Sequence, residues 1–86
     1  MPHSQQIIEY DKILDKILQE LWYSGSLAQK LQQYQKKNAL PQAVWNAHRE
    51  RNNIVHELNY RLPDDVLQRH VIALERQVNQ ILGRGY

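Results

Sequence analysis

Cysteine is missing from all 86 residues, which excludes a disulfide framework and any thiolate metal site. Its absence suits a reducing compartment, and a cytoplasmic location is expected. Long apolar runs are missing too. The longest are pairs and triplets such as Val71-Ile72-Ala73, far short of the roughly 18 apolar residues that a membrane span needs. The start, Met1-Pro2-His3-Ser4-Gln5-Gln6, has no basic leader followed by an apolar stretch. Neither a signal peptide nor a membrane partner is therefore expected. Charge of one sign is scarce: 11 basic residues face 9 acidic ones, a formal +2. That is well below the dense Lys/Arg blocks of a constitutive nucleic-acid binder. Finally, no segment alternates apolar and polar residues with period two, so strands are not expected.

The sequence does carry helical periodicity, four times over. Behind Ser4, a candidate N-cap, Ile7, Tyr10, Leu14, Ile17 and Leu21 recur at spacings of three and four, and Ile8, Ile13, Leu18 and Trp22 widen the stripe. Ser24-Gly25-Ser26 ends this helix, and Ser26 with Gln29 forms a capping-box pattern for a second. Leu27, Leu31 and Tyr34 carry that short helix, Lys36 and Lys37 complement its C-terminal dipole, and Asn38 is its stop. Pro41 suits the first turn of a third helix. Pro63 breaks the chain, Asp64 caps a fourth helix striped by Leu67, Val71, Leu74, Val78 and Ile81, and Gly83 closes it before Arg84, Gly85 and Tyr86. The predicted spans are about 4–23, 26–37, 40–59 and 64–82. The expected architecture is a single all-α domain, a four-helix up-and-down bundle. A chain this short buries only about 60% of its unfolded surface, so pairing with a second copy through a face that includes the third helix is expected.

The third helix breaks its own pattern. On a helical wheel Val44, Ala47, Ile54, Val55 and Leu58 share an arc of about 100°, and Arg51 falls near its middle. A guanidinium cannot neutralise, so it must find a carboxylate, a water-lined cleft or a partner surface. Snorkelling past Ala47 is the bland alternative. Trp45, His48, Asn52 and His56 line one flank of the arc, while Glu50, Asn53 and Glu57 lie on the far side. One permanent cation beside two imidazoles is what an anionic reacting group requires. Metal binding is not expected: His48 and His56 are two turns apart, too far for shared ligation, and no H-E-x-x-H pattern occurs.

The string Arg51-Asn52-Asn53-Ile54-Val55-His56 resembles the signature of the HEPN superfamily (higher eukaryotes and prokaryotes nucleotide-binding), an Arg, four to six residues, then a His, often with a polar residue directly after the Arg. Arg51, Asn52 and His56 match these positions, and Trp45 to Asn52 looks like HEPN sequence just before the motif. The chain is short for the family. The resemblance implies a metal-independent ribonuclease that dimerises so that two motifs face one cleft. Carried onto this sequence, His56 would be general base or acid at the ribose 2′-hydroxyl or the leaving oxygen. Arg51 would stabilise the scissile phosphate, and Asn52 would orient the histidine or the phosphate. His48 and Trp45, on the same flank, are candidate substrate-binding residues, His48 being added from geometry. RNA, a second copy and a cognate antitoxin protein are the implied partners, with no cofactor.

The remaining residues have blander readings. Tyr23, Tyr34, Tyr60 and Tyr86, scattered over separate elements, read as core edges and surface rather than base-stacking platforms. Lys12 and Lys16 with Asp11, Asp15 and Glu20 read as a solvated face with i,i+4 pairing. His70 reads as packed or half-exposed, and His3 as part of a frayed terminus. Two rival functions stand beside the ribonuclease: a non-catalytic HEPN-like module binding a protein or nucleotide, and a DNA binder using the third helix. Against the latter, Arg49 is the lone cation on that helix's outer face.

Overall fold

A computed structural model describes residues 2–83; Met1 and the tail Arg84, Gly85 and Tyr86 lie outside the described residues. Four helices form: α1 His3–Glu20, α2 Leu27–Gln35, α3 Gln42–His56 and α4 Asp64–Gly83. No strand occurs among the described residues, and none of the helices is long and apolar enough to cross a membrane. The expected all-α four-helix bundle is what the sequence builds.

The three-four stripes become the core. Ile7, Leu14, Ile17 and Leu18 of α1 meet Val71, Leu74, Val78 and Ile81 of α4, with Leu31 and Tyr34 of α2 and Val44 and Ala47 of α3 closing the sides. Tyr23 sets its ring edge against Tyr34, centroids 6.1 Å apart. Three polar side chains are buried with it: Asp11 is 3% exposed, Gln77 2% and Lys30 6%.

Connectivity departs from strict alternation. His3 bonds Asp64 and Tyr10 bonds Glu75, so α1 and α4 run in the same direction. The reason is α2. Its nine residues span only about 13 Å, half the length of α1, so it does not cross the bundle as a full helix would. Its first half stands near Asp15, where Lys30 Nζ reaches Asp15 Oδ1 at 2.7 Å, and its end beside Trp45, whose Nε1 donates to Gln35 Oε1 at 3.2 Å.

The caps of α2 follow the sequence. The Ser26–Gln29 capping box forms in full: Ser26 N–H donates to Gln29 Oε1 at 2.8 Å, and Gln29 N–H to Ser26 Oγ at 3.2 Å. Asn38 stops α2 by donating Nδ2 to Tyr34 O at 3.0 Å. Four expectations are corrected. Pro2, not Ser4, stands at the α1 N-cap, and Ser4 lies inside the helix. Asp64 and Asp65 both sit in the first turn of α4, where their charge complements the dipole. The helix α1 ends at Glu20 because Trp22 takes a left-handed backbone, φ 74°, which swings its indole out to 93% exposure. In the same way α3 stops at His56: Glu57 is extended and Asn59 adopts φ 65°, a conformation asparagine tolerates. Leu58, beyond the helix end, thereby leaves the apolar stripe and stands 92% exposed, while Val55, still in the last turn of α3, is 44% exposed.

Candidate functional site

The core stripe of α1 reads Ile7, Asp11, Leu14, Leu18 at spacings of four, three and four, and all four residues are buried. A carboxylate therefore occupies a core position of α1, just as a guanidinium occupies one on α3. The two meet. Arg51 Nε lies 3.4 Å from Asp11 Oδ2, with the Arg51 side chain 26% exposed and that of Asp11 4%. The contact is an ion pair that is not aligned as a hydrogen bond. His48, one turn earlier on α3, holds the same carboxylate more closely, with Nδ1 3.1 Å from Oδ2 and 3.3 Å from Oδ1. Arg51 Nη1 donates to Asn52 Oδ1 at 3.1 Å. A buried carboxylate needs such compensation, because its desolvation would otherwise cost several kcal/mol.

This cluster lines a cleft of about 370 Å³. Asp11, Lys12 and Asp15 of α1 line one side, His48, Arg51 and Asn52 of α3 another, and Ser26 to Ala28 at the start of α2 the third. The reading of Asp11, Lys12 and Asp15 as part of a solvated face is corrected on this point. Asp11 turns inward to α3, and Asp15 holds the buried ammonium of Lys30; only Lys12 keeps an in-helix partner, Glu9 at 3.7 Å. The missed signal was legible: a charge in the apolar stripe of one helix implies an opposite charge in the stripe facing it.

The structure brings three of the candidate residues together, Arg51, Asn52 and His48, and leaves two apart. His56, at the last turn of α3, is exposed and lines a separate surface hollow with Val55, Leu58, Tyr60 and Arg61. Five residues separate it from Arg51, about 140° round the helix. Trp45 faces the end of α2 through its bond to Gln35 and does not line the cleft. Beyond His56 the Tyr60 hydroxyl donates to Glu50 Oε2, tying the α3–α4 loop back to α3. That bond, and then burial, push the Tyr60 phenol above its ordinary value. His3, expected in a frayed end, is instead held by Asp64 at 2.8 Å. His70 is half-buried, as its position beside Val66 and Leu74 suggested.

No group of three or more His, Asp or Glu side chains among the described residues is placed to hold a metal ion. What the cleft offers is a permanent cation, an amide and an imidazole around a solvent-open space, with a buried carboxylate behind them. Comparison with protein-family models, with curated proteins and with solved structures finds no match.

Proposed function

We propose that this chain is a metal-independent endoribonuclease of HEPN type, acting as a homodimer in the cytoplasm and serving as the toxin of a toxin–antitoxin or defence pair. The observation that carries the reading is the placement of Arg51 and Asn52, bonded to each other, on the wall of an open cleft together with His48. A guanidinium there meets a phosphate diester well, since it offers donors in a fixed fork. In this reading two copies pair through the end of α3. Exposed Val55 and Leu58 supply the apolar contact there, and His56 is brought to a shared groove.

Purified chain incubated with RNA in EDTA tests the proposal. Cleavage that leaves 2′,3′-cyclic phosphate ends and is lost in Arg51→Ala supports it. Intact RNA in the presence of folded dimer removes it. A second reading, a non-catalytic module binding a protein partner or nucleotide, is favoured by one observation: Asp11 already balances the Arg51 charge. Under that reading the same assay gives intact RNA, and Leu58→Asp abolishes partner binding while leaving the fold unchanged.

A further inference from the structure

We infer that His48, oriented by Asp11, is the proton-accepting group of this cleft; the inference rests on the ribonuclease reading and adds to it a residue outside the Arg51–His56 motif. The geometry is that of a carboxylate–imidazole dyad. An ionised carboxylate offers only lone pairs, so the imidazole nitrogen facing it must carry a hydrogen. Asp11 receives Nδ1 across both of its oxygens, at 3.1 and 3.3 Å. The neutral ring is therefore the Nδ1–H tautomer, and Nε2 keeps its lone pair. Nε2 has no hydrogen-bond partner among the described residues, and His48 lines the cleft with 14% of its side chain exposed. A nitrogen base with a fixed ring plane and a buried anion behind it is what accepting a proton demands, because that anion stabilises the imidazolium as it forms.

The surroundings agree. Arg51 stands one turn along α3 with Nη1 on Asn52, so the phosphate-binding cation and the base open onto the same space. His56 lines a different hollow, so it does not share that space within one chain. The step balances as follows. Nε2 of His48 takes the proton of a ribose 2′-hydroxyl, O2′ forms a bond to the adjacent phosphorus, and the bond from phosphorus to the 5′-oxygen breaks. The departing oxygen takes a proton from water, and the imidazolium later returns its proton to solvent. Asp11 is a positioning residue throughout; it never touches the RNA.

The test uses the whole chain with single-stranded RNA in EDTA. His48→Gln keeps an amide donor for Asp11, and it is expected to fold with an unchanged circular dichroism spectrum yet cleave at least about 100-fold more slowly. Added imidazole is expected to restore part of the activity of His48→Ala, which a purely structural histidine would not allow. On the unmodified chain, two-bond proton–nitrogen correlation spectra should show His48 as the Nδ1–H tautomer, shifting towards Nε2–H in Asp11→Asn. A chain that cleaves RNA equally well as His48→Gln but is silenced by His56→Ala overturns this inference and leaves the ribonuclease reading standing. A His48 found as the Nε2–H tautomer overturns it as well. An unmodified chain with no metal-free cleavage takes both readings away.

Discussion

Asp11 is the residue on which the cleft depends. Its carboxylate is 3% exposed and answers two α3 side chains, so removing it strands a guanidinium and an imidazole against the core. Breaking a buried pair in this way costs about 3–5 kcal/mol. Because Arg51 is about a quarter exposed, water screens part of that loss. Asp11→Ala is expected to lower unfolding stability by about 2–3 kcal/mol in urea, with the midpoint shifted and the slope kept. Tyr60 supports a prediction of a different kind. Glu50 raises its phenol in the folded chain, so the neutral form is the one folding favours. Any stability from this bond is fully present below the unfolded tyrosine value and is lost as pH rises through the folded one. In an ultraviolet titration of the phenols Tyr60 should ionise above the ordinary tyrosine range, and Glu50→Gln should bring it down. A titration identical in the two proteins would show that the bond does not persist in solution.

At the scale of elements, the turn between α1 and α2 decides where the cleft's third wall stands. Gly25 takes φ 97°, and a Cβ there would meet Gln29 Oε1 at 2.2 Å. That oxygen is the one accepting from Ser26 N–H, so relieving the clash breaks the capping box. Ser26→Ala removes one arm of the box and is expected to cost about 1 kcal/mol. Gly25→Ala adds left-handed strain of about 1–2 kcal/mol to the lost cap, and should be the more destabilising of the two by thermal or urea unfolding. The reverse order would mean that the box contributes more than the turn. Much of this was legible beforehand, because capping is local: Ser26, Gln29 and Asn38 act within one turn of themselves. The ends of α1 and α3 were not legible. Periodicity carries both helices three residues too far, to Tyr23 and Asn59, because a wheel cannot register that Trp22 and Asn59 leave the right-handed region.

For the molecule as a whole, one core joins α1 and α4 with α2 and α3 laid on its sides, and little stability is in reserve. A domain of this size holds roughly 4–13 kcal/mol. Leu74 is fully buried at the centre of α4, and Leu74→Ala should cost about 3 kcal/mol, lowering the melting temperature by about 12–24 °C. A shift of only a few degrees would place Leu74 at a site able to collapse. The amino-acid sequence by itself determined the four helices, the caps of α2 and the apolar stripes, since these rest on contacts three and four residues apart. It also marked Arg51 as anomalous. Only the tertiary structure decided which side chain answers that charge, that His48 faces the same carboxylate, and that His56 stands elsewhere. The physical reason is that Asp11 and Arg51 are forty residues apart. Their pairing follows from which helix faces bury each other, and the short α2 sets that by letting α1 and α4 run side by side in one direction.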